Sequence, residues 1–470
     1  MNPSEFRKYA HELVDWMASY MEHVGSYPVR SQVKPGEISG RLPGSPPFDP
    51  ESFESFFSDF EKIIMPGITH WQSPNFFAYF PANSSPPSVL AEMLTATLAS
   101  QCMIWETSPA AAELEEVVMN WLRDATGLPA SFEGVIQDTA STATLAAILT
   151  AREKKTGFGS NESGMYDGPV LRIYCSEQTH SSVEKAIKIA GLGRKNLVKI
   201  RVNDDYSMDP VALEEAVKAD ADSGYVPCCA VATLGTTGTT AIDPLRRIGE
   251  ICSRYGIWLH VDAALGGTAL LLPEMRWMAD GCEYADSIVL NPHKWMFTNF
   301  DCTAYFVKDA ATLIRTFEIL PEYLRTRTRG QVNDYRDWGV PLGRRFRALK
   351  LWCVIRMYGI KGLQEKIRLH LRLASWLAEQ VNSEKDFELL APVPLNTVCF
   401  RYIRPGEQEE ALDGLNEKLN HALNDSGKIY LSHTRLQGKY TLRMVTAQTN
   451  VTAEHVKKAW ELIKNTARSL

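Results

Sequence analysis

An α/β fold around a mostly parallel sheet is predicted by three observations. Between residues 85 and 365, helix-like stretches alternate with short β-branched runs, the pattern of βα units. Each apolar run gives way to a polar or Gly-rich turn. The last hundred residues change rhythm, to a compact α+β unit. At 470 residues with 45% apolar content, the chain is long enough to bury a large core.

The elements follow in order. Phe6, Ala10, Leu13, Met17, Tyr20 and Val24 recur at three- and four-residue steps, which predicts an amphipathic first helix that needs a partner surface. The partner is either its own chain or a second subunit. The stretch GSYPVRSQVKPGEISGRLPGSPPFDP is so rich in Pro and Gly that it reads as an extended connector. Candidate strands are Gly134–Gln137, Leu171–Cys175, Cys229–Thr233, Trp258–Val261 and Ser287–Leu290. Residues 325–337, RTRTRGQVNDYRD, are polar and aperiodic, so an exposed, mobile loop is expected. Beyond it come a long amphipathic helix, a strand around 398–402, a helix around 411–423, a strand around 440–445 and a final helix from Thr452. The expected division is 1–84, an N-terminal helical arm and dimer-packing segment; 85–365, a large α/β domain; and 366–470, a small α+β domain.

Composition narrows the function. Lys and Arg total 50 against 56 Asp and Glu, interspersed, for a net charge of −6, which argues against a nucleic-acid binder. No apolar run approaches the ~18 residues of a membrane span, and the N-terminus lacks the apolar stretch of a secretory signal. A cytoplasmic protein without membrane partners is expected. Nine cysteines, an odd number without a C-x-x-C pair, argue against disulfides and a zinc site; no metal is expected. P-loop, H-E-x-x-H and G-x-S-x-G motifs are absent. GLGRKN at Gly191 lacks the third glycine of a dinucleotide fingerprint.

Ligands on such sheets sit beyond the carboxyl ends of the strands. Two segments there carry chemistry: HVDAA, with Asp262 after one candidate strand, and NPHKW, with Lys294 after another, 32 residues on. Taken alone, such a pair is more often a salt bridge or two solvated surface groups. It also suits pyridoxal 5′-phosphate (PLP), whose aldehyde forms an imine with a lysine and whose ring nitrogen pairs with a carboxylate.

Seven segments decide the context: THWQSPNFFAYFP (69–81), GVIQDTAS (134–141), EQTHSSVEKA (177–186), VATLGTTGTT (231–240), IWLHVDAALGG (257–267), SIVLNPHKWMFTNFDC (287–302) and PLGRRFRALKLW (341–352). On these the sequence resembles, nearly end to end, the fold-type-I PLP-dependent decarboxylases of group II, and among them the aromatic L-amino acid decarboxylases. The resemblance implies a seven-stranded sheet, PLP as cofactor, a homodimer with active sites at its interface, and decarboxylation of an aromatic amino acid to an arylalkylamine and CO2. It assigns the cofactor imine to Lys294, the ring-nitrogen partner to Asp262, and the phosphate to Ala140 and Ser141 with Asn291 and His293. It further implies that His180 stacks on the ring near the substrate carboxylate, that Ala264 contacts the opposite face and that Thr237 neighbours the cofactor. By the same resemblance Tyr323 is expected to deliver the final proton to the substrate; relatives with Phe there behave as aldehyde synthases. The family position of Tyr335 is downstream of that tyrosine, and the stretch from Tyr323 to Gly343 is two residues shorter than in animal enzymes.

The implied side-chain pocket comprises Trp71, Tyr79, Phe80, Pro81, Ala82, Met103 and Gly343. Ala82 stands where animal relatives tend to have Thr, Gln72 where they have His, and Met103 where they have Phe. Plant relatives carry Gly at the Gly343 position in indole-preferring enzymes and Ser in phenol-preferring ones, which tilts the expectation to tryptophan, with phenylalanine, tyrosine and 3,4-dihydroxyphenylalanine open. Two alternatives are an aldehyde synthase on the same scaffold and a cofactor-binding homologue without turnover.

Overall fold

The structure is a computed structural model that describes residues 1–319 and 330–470. It divides into two compact units: residues 82–372 with 391–397, and residues 1–81 with 373–390 and 398–470.

The larger unit holds seven strands: β1 (Glu133–Gln137), β2 (Leu171–Ser176), β3 (Leu197–Ile200), β4 (Val226–Thr233), β5 (Trp258–Asp262), β6 (Ser287–Leu290) and β7 (Thr303–Val307). They form one sheet in the order β1-β7-β6-β5-β4-β2-β3. Pairs within β2–β6 and β3 are parallel, whereas β7 runs antiparallel to both β6 and β1. The five candidate strands are present within two or three residues at their ends. The sequence reading did not single out β3 or β7. A parallel neighbour needs a crossover of a dozen or more residues, usually a helix; between β6 and β7 the chain makes only the short helix Pro292–Trp295 and turns back.

Strands β5, β6 and β7 are buried throughout, as expected of a sheet covered on both faces. The helix Ala140–Lys155 places Ala143, Ala146, Ala147 and Ile148 in the core with Ile173, Val231 and Tyr305. Small side chains let that helix lie close to the sheet, which fixes where its N-terminus emerges. All nine cysteines are free, and eight of them are buried.

The smaller unit carries β8 (Phe387–Leu389), β9 (Thr397–Tyr402), β10 (Ser432–Leu436) and β11 (Lys439–Val445) in the order β10-β11-β9-β8, with helices Glu409–Asp425 and Ala453–Ser469. β10 and β11 form a hairpin across Gln437-Gly438, both at positive φ (50° and 83°), the twist-matched two-residue turn. The first helix, Pro3–His23, is capped by Asn2 and packs on its own chain: Tyr9 stacks on Phe53 at 4.3 Å, and Trp16 meets Phe57 and Phe60. The N- and C-terminal segments, expected as separate parts, fall largely in this one unit. Backbone bonds knit them: Val29 N–H to Gly427 O, Phe77 N–H to Tyr430 O and Val445 N–H to Phe77 O, at 2.8–2.9 Å.

The expected exposed loop at 325–337 needs correction where it is described. Tyr335, Arg336 and Asp337 are buried. Their polarity is spent internally: the Asp334 carboxylate accepts the Trp105 N–H (2.9 Å), the Arg336 N–H donates to Met103 O (2.9 Å), and Tyr335 lies under the Arg344 guanidinium.

Candidate active site

The turns after β1, β2, β4, β5 and β6 open on one edge of the larger sheet. Asp262 closes β5 and is 5% exposed; its Oδ1 accepts the N–H of Ala264 at 3.1 Å. Asn291 follows β6, and its N–H donates to Ala264 O at 3.0 Å, tying the two turns together. Lys294 comes one helical turn later, its N–H donating to Asn291 O (2.9 Å) and its carbonyl accepting from Asn83 Nδ2 (2.8 Å). Burial pushes the Lys294 ammonium below the usual lysine range, against the pull of the Asp262 carboxylate. More free amine makes a better nucleophile toward an aldehyde.

His180 follows β2. Its Nδ1 accepts the Ser182 N–H at 3.2 Å and meets Ser182 Oγ at 2.9 Å, leaving the ring proton on Nε2. Burial lowers its pKa, the Asp262 charge raises it, and Lys294 lowers it, so these three groups share one electrostatic neighbourhood. His293 accepts the Cys302 N–H on Nδ1 at 3.0 Å and is held neutral, its pKa pushed down to about 4 by burial.

The helix Ala140–Lys155 begins beside them. Thr139 caps it, its Oγ1 accepting the Thr142 N–H, and the first N–H groups of such a helix have no partner within it. The Thr303 hydroxyl lies between Asn291 Oδ1 (2.9 Å) and Asp138 O (3.0 Å), joining this turn to the lysine turn. Thr237 stands exposed in the loop after β4, which Thr236 braces by accepting the Ala241 N–H at 3.0 Å.

Of the pocket candidates, Trp71, Tyr79, Phe80 and Pro81 belong to the smaller unit. Trp71 packs on Phe76 and Tyr79. Tyr79 adopts φ 51° and stays half exposed, its hydroxyl 3.2 Å from that of Tyr430; a tyrosine in the left-handed region is uncommon and marks a constrained position. Ala82, Met103 and Gly343 belong to the larger unit. A Cβ on Gly343 would lie 3.3 Å from Gln101 Nε2, so a side chain there has to displace that amide. Tyr323 lies outside the described residues.

Sequence reasoning missed Asn83, Ser182 and Thr303, which hold the reactive turns in place. Thr303 opens the unrecognised strand β7, and nothing local marks the other two. Among the described residues, no group of three or more His, Cys, Asp or Glu could hold a metal.

The donor set fits PLP: an amine of lowered basicity, a buried carboxylate, and a helix start with unspent N–H groups for a phosphate. Residues 35–403 match the family model described as the pyridoxal-dependent decarboxylase conserved domain. The chain belongs to that family. Within these decarboxylases it is 43% identical to the pig aromatic-L-amino-acid decarboxylase, covering 100% of this chain and 98% of that one. It is 41% identical to the phenylacetaldehyde synthase of Arabidopsis thaliana, covering 100% and 97%. A crystal structure of Oryza sativa TDC with PLP and tryptamine superposes with TM-score 0.97 at 38% identity, covering 100% and 99%. The fold is that of these PLP-dependent decarboxylases, and PLP is the cofactor.

Proposed function

We propose that this decarboxylase converts aromatic L-amino acids, tryptophan foremost, to arylalkylamines and CO2. The observation that carries the reading is the convergence of Lys294, Asp262 and His180 on one sheet edge, in a chain with full-length aromatic-specific relatives. PLP, when bound, supplies an electron sink for the electrons left as the carboxylate departs.

The chain's own residues do the rest. Lys294 offers its amine to the cofactor aldehyde, and Asp262 keeps a proton on the ring nitrogen. Ala140 and Ser141 donate N–H and hydroxyl to the phosphate, supported by Asn291 and His293. His180 covers one ring face, with Nε2–H free to meet the substrate carboxylate; Ala264 lies on the other face and Thr237 alongside. Tyr323 gives its hydroxyl proton to the former α-carbon, a step that contributes about 10²–10⁴-fold when made by a placed acid.

Trp71, Tyr79, Phe80 and Pro81 offer an aromatic lining of the kind that favours flat apolar side chains, and the family resemblance adds Ala82, Met103 and Gly343 as substrate-contacting residues. The lack of a side chain at Gly343 supports the indole ring. A homodimer in the cytoplasm completes the proposal. On the helix Pro86–Leu98, Leu90, Leu94 and Leu98 recur every four residues at 52–60% exposure, a stripe suited to a second copy. No described helix is long and apolar enough to cross a membrane.

The 41% identity to a phenylacetaldehyde synthase supports a second reading, in which oxygen is consumed and an aldehyde, ammonia and peroxide are released. The direct test of the site is Lys294→Ala. It is expected to abolish the imine absorbance of the bound cofactor and to cut turnover by at least about 10³-fold, while retention of both would refute the assignment.

A further inference from the structure

The phosphate turn contains an acid whose position is unfavourable for the group expected there. Asp138 directly precedes Thr139, the cap of a 16-residue helix. Its Oδ1 accepts the Thr139 N–H at 2.6 Å, so it takes one of the donors at the positive helix end and adds a negative charge to it. Its carbonyl is pinned by the Thr303 hydroxyl at 3.0 Å, and that hydroxyl also meets Asn291. These bonds fix the Asp138 backbone in the turn, and the bond from the Thr139 N–H is what holds its carboxylate at the helix start. Arg347, a cation that senses it, is already committed to both oxygens of Asp301, at 3.0 Å each. A helix N-terminus with an internal carboxylate is partly neutralised before any ligand arrives, and a phosphate dianion brought to Ala140 and Ser141 meets a like charge.

We infer that Asp138 holds down the affinity for the phosphate of PLP, so that the chain exchanges its cofactor and its active fraction follows cofactor supply. The acid stabilises the helix end in the cofactor-free chain and opposes the phosphate in the loaded one. The inference rests on the placement of the phosphate at Ala140 and Ser141.

The experiment titrates cofactor-free protein with PLP and, separately, with pyridoxal, which lacks the phosphate, following imine absorbance and equilibrium dialysis. Wild type is compared with Asp138→Asn, which keeps an oxygen for the Thr139 N–H, and with Asp138→Ser, which supplies a hydroxyl instead. Both variants are expected to bind PLP roughly tenfold tighter, the scale of one uncompensated charge at a half-buried site. Both should release it more slowly and leave pyridoxal affinity within about twofold. Unchanged or weaker PLP binding overturns the inference, as does equal tightening of pyridoxal, which would mark a structural effect. If wild type binds PLP and pyridoxal equally well, the phosphate placement itself fails, and the inference with it.

Discussion

His293 and His260 show how single residues of this site acquire their state from burial. Each is nearly inaccessible and has its pKa pushed to about 4 by desolvation. His260 sits two residues before Asp262 on β5, its Nδ1 2.9 Å from Ser287 Oγ. The unfolded chain protonates such a histidine near pH 6.5 and the folded one only near 4, so acidification between these values favours unfolding. Relative to His260→Gln, the wild type is expected to lose about 3 kcal/mol of unfolding free energy between pH 6.5 and 4 and to show no difference in slope above pH 7.5. Urea unfolding of both proteins across that range checks it. At this scale the sequence was informative where a reactive side chain directly follows a strand, as Asp262 and Lys294 do. It was silent on Asn83 and Thr303, because their roles arise from partners 211 and 165 residues away.

The element that organises the wall around Gly343 is a buried ion pair. Arg344 Nη2 meets Glu115 Oε1 at 2.6 Å and Ile136 O at 2.7 Å, while Glu115 Oε1 also accepts the Ile136 N–H at 2.7 Å. The Arg344 backbone holds the segment bearing Met103, its N–H donating to Gln101 Oε1 and its carbonyl accepting from Cys102. Glu115→Ala leaves the guanidinium buried without its carboxylate, so a loss of about 3–5 kcal/mol is expected, measurable by chemical denaturation. A loss below about 1 kcal/mol would mean that the pair is dispensable. Elements with strong periodicity were legible in the sequence: the first helix, β5, β6 and the final helix. β3 is only four residues long, and β10 (SHTRL) alternates polar types without a hydrophobic signature. The 330–337 stretch looked solvated because its polar groups find their partners in segments about 230 residues distant.

For the whole molecule, the α/β class and the parallel sheet followed from alternating apolar runs, whereas the pairing of both chain ends in one unit did not, since it is made by backbone bonds that leave no mark on composition. The exposed leucine stripe of Pro86–Leu98 belongs to this scale too. Leu94→Glu is expected to shift the protein from dimer to monomer in light scattering and to lower turnover with it, because the proposed pocket draws on two copies. A monomeric wild type with full activity would remove the dimer from the account.

The proposed reaction is a decarboxylation that ends in protonation of the former α-carbon. The measurement that tests it most directly is the product balance of purified protein with PLP, offered tryptophan, phenylalanine, tyrosine and 3,4-dihydroxyphenylalanine in turn, with CO2, amine, aldehyde and peroxide followed together. The expected result is one amine per CO2 without peroxide, fastest with tryptophan. Aldehyde with stoichiometric peroxide, or no CO2 from any of the four, would contradict it.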